Sequence, residues 1–346
     1  MSVTLKTNDK VFFGFLTAEI ERSLKAVSGH FALNYTDKWS GQNTAFQLRA
    51  GDECVLELDG ETAITGIIDT VEADLAGGSR HLSVTGRDRT GNLVDSGTLL
   101  SQKTFKGVSL KSMAEKLAAP FDVSVSSNSE AANRFIETIT YQYNETIWEM
   151  INRLAQYQGV LVYPDAQGGI IFSDVSNIVG ETLDEKKNIL EVNTRTDASE
   201  KFQKYIVVSH SGTPERKIST VRAEAIDNSV SAPRCKIVII SKNTDKNGAQ
   251  ARANWEMALH TAKSFHANVT LAGWKNSSGK IWQINTQVYL TAKSVGVEGN
   301  FLIESTKFLL EPERGMITQL TLVLPDAYKP QPDRNSEQSN GEEIYD

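Results

Sequence analysis

Two stretches of the chain, "GIIDTVEADL" (66–75) and "FLIESTKFLL" (301–310), lie more than two hundred residues apart and run in step. Ile67 matches Leu302, Asp69 matches Glu304, Ala73 matches Phe308 and Leu75 matches Leu310. Their neighbours match in the same order. "GHFALNYTDKW" (29–39) faces "HANVTLAGW" (266–274), "FQL" (46–48) faces "WQI" (282–284), "CVLEL" (54–58) faces "QVYLT" (287–291), and "LSV" (82–84) faces "LTL" (320–322). Amphipathic strands resemble one another, so two unrelated meanders are the alternative, and it is the common order that favours one β unit made twice. A one-residue slip would turn a core face outward, so shared order with shared register implies shared architecture.

Around the first copy the pattern is β throughout. In "VSGHFALNYTDKW", Phe31, Leu33 and Tyr35 alternate with Ala32, Asn34 and Thr36, the period of a half-buried strand. "ECVLELDGETAITGIID" is a hairpin in which Gly60 takes positive φ, and "AGGSR" reverses the next pair. From Thr104 the period lengthens. Leu110, Met113, Ala114, Leu117 and Ala118 line one helix face, with Ser109 as N-cap and Pro120 as stop. Ile147, Met150, Ile151, Leu154 and Ala155 line a second, with a Thr146–Glu149 capping box and Gly159 at its end, followed by the hairpin "VLVYPDAQGGIIF". β character returns with "KYIVVSHSG" and "RCKIVIIS". A third helix then carries a stripe of Ala251, Trp255, Ala258, Ala262 and Phe265, with Trp255 expected as a core anchor rather than a ligand platform.

The expected fold is mainly β with an α+β insert: two antiparallel β-barrels and a smaller helix-containing domain. The boundaries that follow are 1–98 for the first barrel, 99–190 for the α+β middle domain, and 191–326 for the second barrel, itself interrupted at about 226–266 by a helix-containing segment. A flexible acidic tail occupies 327–346, whose tip residues Ile344 and Tyr345 suit docking on a partner.

With 36 basic and 43 acidic residues the formal charge is −7, and no basic cluster with interleaved aromatics is present, which argues against specific nucleic-acid binding and against anionic membrane surfaces. No apolar run approaches the ~20 residues of a membrane span, and the first residues lack a secretory pattern. Cys54 and Cys235 are too few and too distant to suggest a disulfide framework or metal site.

Chemistry-bearing patterns are equally sparse. His30, His81, His210, His260 and His266 lack metal-ligand spacing and read as surface histidines. There is no nucleophile elbow, P-loop or dinucleotide fingerprint. Asp69 and Glu304 are the carboxylates worth weighing, and a polar residue at a β-bulge of each repeat explains them better than a glycosidase pair. The residues therefore point to no catalytic, cofactor or metal site, and to no enzyme.

"VTGRDRTGNLVDS" (84–96), the helix–hairpin at 144–172 and "GKIWQINTQVYLTAKSVGVEGNFLIESTKFLLEPERGMITQLTLVLPDAY" (279–328) are similar to the baseplate hub proteins of contractile phage tails, most closely the 43 kDa tail protein family of Mu-like phages and prophages. The resemblance implies a homotrimeric structural protein whose two barrels are tail-tube-like. Six barrels would then form a ring between the six-fold tail tube protein and the three-fold spike protein, beside other baseplate proteins. It implies assembly in the host cytoplasm, then a place in the virion baseplate. Type VI secretion spikes open with similar regions but continue into further domains that this chain is not expected to carry. Two other classes stay open: a tail-associated cell-wall hydrolase using Asp69 and Glu304, and a saccharide-binding module stacking sugars on Trp39, Trp274 or Trp282.

Overall fold

A computed structural model describes residues 2–38, 48–76, 79–98, 100, 103–211 and 219–332. The chain opens with β1 (Val3–Thr7), β2 (Lys10–Phe13), β3 (Thr17–Ser23), β4 (His30–Lys38), β5 (Glu53–Leu58), β6 (Glu61–Ala76) and β7 (Ser79–Asp88). Alternation does what the sequence requires of it: Phe31 and Leu33 are fully buried on β4 while Asn34 is exposed. The β5–β6 turn places both Asp59 and Gly60 at positive φ, 51° and 79°, as a tight two-residue hairpin demands.

A separate core follows. It holds α1 (Gly91–Asp95), β8 (Thr104–Ser109), α2 (Leu110–Ala118), β9 (Val125–Ser127), β10 (Phe135–Thr140), α3 (Ile147–Gln158), β11 (Leu161–Pro164) and β12 (Ile170–Ser173). All five apolar positions expected on α2 are buried, and the Ser109 hydroxyl accepts from Ser112 N–H. On α3 the Thr146–Glu149 capping box is complete, and Gly159 ends the helix at φ 70°. The two helices bury Met113, Leu117, Met150 and Leu154 in one cluster with Phe172.

The remainder comprises β13 (Val179–Asp184), β14 (Ile189–Thr196), β15 (Lys204–Ser211), β16 (Ser219–Ile226), β17 (Cys235–Asn243), α4 (Lys246–Lys263), β18 (Phe265–Ala272), β19 (Gln287–Ala292), β20 (Val297–Glu311) and β21 (Gly315–Val323). β15, β16 and β17 form their own sheet, covered by α4 through Val207, Ala223, Ile240, Ala249 and Ala253. This insertion therefore begins near residue 204 rather than 226, because β15 pairs in parallel with β17 instead of joining the large sheet. β13, placed by the expected boundary at 190 in the middle segment, pairs with β19.

Outside the helical core, whose strands form the small sheets β10-β8 and β11-β12-β9, every other strand belongs to one 13-stranded sheet, ordered β14-β18-β21-β20-β3-β4-β7-β6-β5-β1-β2, with β19 and β13 continuing from β20. Within it the strand order β4-β7-β6-β5 is repeated as β18-β21-β20-β19, all antiparallel. The bulges repeat too. The β6–β7 register shifts between Ile68 and Thr70, at Asp69, and the β20–β21 register shifts between Ile303 and Ser305, at Glu304. The row Ile68, Gly86, Phe31 thus corresponds to Ile303, Leu322, Ala267. Only the β6/β20 match holds residue for residue; β7/β21 differs from the sequence alignment by two positions and β4/β18 and β5/β19 by one.

The two units are fused edge to edge. Past its bulge, β20 pairs antiparallel with β3, setting Phe308 opposite Ile20 and Lys307 opposite Glu21. One apolar cluster runs across the seam, with Ile20, Phe31 and Leu33 on one side and Val269, Phe308 and Leu320 on the other. The described ladders leave this sheet open, and neither unit closes on itself through them.

Candidate assembly surfaces

The edges of this sheet are where another chain would attach, since an edge strand presents unpaired backbone donors and acceptors. β2 ends the sheet at one side and carries exposed Val11 and Phe13, the latter 70% exposed. β14 ends it at the other, with Leu190 60% exposed at a register shift. β6 is an edge for half its length: β5 covers it only as far as Ile67, and Leu75 beyond is exposed. The sheet of the insertion has a covered face against α4 and an open one bearing exposed Ile237 and Ile239 on β17.

Between the first β unit and the helical core, the "GRDR" turn acts as a clasp. Arg87 binds Asp69 at 2.9 Å and Asp95 at 2.8 Å, so its guanidinium is held more firmly protonated and Asp95 is pulled below the usual carboxylate range. Arg89 joins Glu53 of β5 to Asp122 of the helical core, at 3.0 and 2.9 Å. The buried Asp88 carboxylate accepts from Gly29 N–H, Thr90 N–H and the Ser28 and Thr90 hydroxyls; burial nevertheless pushes its pKa up. None of this network was legible from spacing, because its partners are spread over β5, β6, α1 and the connections at residues 28–29 and 122.

Asp69 and Glu304 do sit at the bulge of each repeat. Asp69 is tied to Arg87, whereas Glu304 is buried, 2.9 Å from Lys25 and accepting from the Tyr328 hydroxyl at 2.7 Å. Each is neutralised by its own cation, Arg87 on β7 and Lys25 in the connection after β3, and nothing brings them to one cleft. Burial and Glu304 together drive the Tyr328 pKa up, keeping its proton available to that carboxylate.

Several site expectations change. Trp274 and Trp282 are 2% and 5% exposed, so neither offers a stacking face; Trp274 N–H donates to Leu309 carbonyl oxygen at 3.1 Å. Trp39 lies outside the described residues, as do Ile344 and Tyr345. The buried face of α4 is Ala249, Ala253, Glu256, His260 and Ala262; of the expected stripe Ala262 is buried, whereas Ala251 is exposed and Trp255 and Ala258 are half-buried. Charge neutralisation allows this: Glu256 is paired with Arg252 and Lys236, at 3.0 and 3.5 Å. Trp255 is half-buried and donates to Lys329 carbonyl oxygen, which anchors the start of the segment expected to be free tail.

His260 is therefore not a surface histidine: its Nε2 lies 2.7 Å from Lys236 Nζ. His30 stands with Glu19 and Glu21 in a group whose ligand atoms fall within 4.8 Å of one another, but Lys307 already pairs with Glu19. His81 is exposed and His266 half-buried, apart from that group. Cys54 is buried, its thiol pushed up to about 12 by desolvation, and Cys235 is exposed.

Comparison with known proteins agrees with the repeated sheet and its helical interruption. Residues 2–88 match the family model of the Mu phage baseplate assembly protein GpP-like N-terminal domain, residues 90–174 the baseplate hub protein gp44-like second domain, and residues 245–331 the Mu phage baseplate assembly protein GpP fourth domain. The chain is 26% identical over 333 residues to the baseplate hub protein gp44 of Escherichia phage Mu, covering 93% of this chain and 87% of that one. A solved structure, the 43 kDa tail protein of prophage MuSo2 from Shewanella oneidensis, superposes with a TM-score of 0.83 at 28% identity over 95% of this chain and 100% of that one. The tail protein from Neisseria meningitidis MC58 shares the fold, with a TM-score of 0.77 at 24% identity over 94% and 98% of the two chains.

Fold and matches together define a phage-tail structural protein of the baseplate. Within that class, this chain is similar along most of its length to the baseplate hub proteins of Mu-like phages and prophages.

Proposed function

We propose that three copies of this chain form a ring in the virion baseplate that adapts the six-fold tail tube to the three-fold spike. The observation that carries this reading is the repeated strand order with its repeated bulge, β4-β7-β6-β5 and β18-β21-β20-β19, which gives each chain two equivalent β units. Six such units meet a hexamer through like contacts, while the two α-containing segments, one between the units and one inserted into the second, follow the three-fold body. In this reading the functional units are the first β unit, the helical core after it, and the second β unit with its insertion. The chain assembles in the host cytoplasm and contacts tube, spike and neighbouring baseplate proteins.

Light scattering on the full-length protein tests it. The expected mass is that of three 38.1 kDa chains. A monomer that persists at high concentration, or a two-fold dimer, would overturn it. A hydrolase built on Asp69 and Glu304 draws no support from two carboxylates held apart by separate cations.

A further inference from the structure

The internal seam suggests how neighbouring chains join. In repeat correspondence β6 is the counterpart of β20, and β14, antiparallel to β18, is the counterpart of β3, antiparallel to β4. The seam uses the outer edge of β20 and the free edge of β3. Their counterparts, β6 beyond Asp69 and the outer side of β14, are edges that no described strand pairs.

Resting on the ring reading above, we infer that β6 of one chain pairs antiparallel with β14 of the next, repeating the β20–β3 seam between molecules. The register follows from the seam. Phe308 opposite Ile20 becomes Ala73 opposite Thr194, and Lys307 opposite Glu21 becomes Glu72 opposite Arg195.

Three observations support the pairing. The charge pair is kept with its sign exchanged, so both junctions set a cation against a carboxylate. Arg195, 77% exposed, meanwhile holds Asp197, just past the end of its strand, at 3.0 Å, a solvent-exposed contact that a cross-chain partner displaces at little cost. Burial is the second. Phe308 and Ile20 are fully buried at the seam, whereas Thr194 is only half-buried and Ala73 exposed, as they would be before a partner arrives. Third, the contact is head-to-tail between unlike surfaces, the kind that closes into a ring rather than a two-fold dimer.

The test is a disulfide trap in the full chain. In a Cys235→Ser background, which removes the exposed thiol, Ala73→Cys and Thr194→Cys are introduced together. Directly opposed residues of an antiparallel pair stand about 4.5–5.5 Å apart at Cα, within disulfide reach. Mild oxidation is expected to give covalent species of up to three chains on a non-reducing gel, reversed by reductant, while Ala73→Cys with Asn193→Cys, on opposite faces, gives none. Separately, Glu72→Arg or Arg195→Glu is expected to weaken association about fivefold per junction, and the two together to restore it. A chain that associates by light scattering but fails to cross-link at this pair overturns the inferred pairing and leaves the ring intact. A chain that never associates overturns both.

Discussion

Gly86 occupies a position that admits no side chain. A Cβ there would lie 2.3 Å from Ile67 carbonyl oxygen and 2.5 Å from the Phe31 ring, because β7 passes tightly beneath the Asp69 bulge. Gly86→Ala is expected to destabilise the fold by about 1–3 kcal/mol, the usual cost of overpacking, seen as a lower urea midpoint at unchanged slope. Gly91→Ala, whose Cβ would meet nothing closer than the flexible Arg87 guanidinium at 3.3 Å, should cost clearly less. At His260 the expectation concerns pH. Burial, and then Lys236, lower its pKa from 6.5, so the folded protein binds this proton more weakly than the unfolded chain does. The stability it confers is present above the unfolded pKa and is lost as pH falls below it. Melting temperature should drop between pH 7.5 and 5.5, and the drop should shrink in His260→Gln; equal slopes would show that His260 does not titrate in this window.

At the level of single elements, what could be read beforehand was whatever is encoded locally. α2 and α3 end where their caps place them, since Ser109, Thr146 and Gly159 act within one turn of chain. α4 was found but rotated, because its buried face contains Glu256 and His260, whose neutralising partners include Lys236 from β17. β15 was misassigned for a similar reason: its parallel partner β17 lies across a long excursion, and a parallel pair leaves no turn signature. The C-terminal segment was expected to hang free from residue 327. Instead Tyr328 hydrogen-bonds Glu304, Lys329 accepts from Trp255, and Pro330 lies against Gly159. Deleting 333–346 should therefore leave the melting temperature within about 1 °C, whereas deleting 325–346 should lower it by several degrees, leaving a buried carboxylate short of a donor. Equal effects would show that these contacts contribute nothing.

For the whole molecule, the sequence made the duplication visible and hid its geometry. Order survived because each strand kept its place, while register drifted at bulges and loops that no alignment of amphipathic strands resolves. The seam between β20 and β3 had no signal at all: two edges that pair in one chain are written as two ordinary strands, with the partners Ile20 and Phe308 at opposite ends of the chain, and nothing in either names the other. On the proposed ring, the seam would account for a unit made twice, since it fixes inside one chain the junction that such a ring would need repeatedly. Electron microscopy of the assembled protein examines that account most directly. It predicts a hollow ring of three chains in which six similar β units succeed one another around the axis, with strand density continuous across every junction. Three chains packed through their helical cores, with the outer edges of β6 and β14 facing solvent, would contradict it.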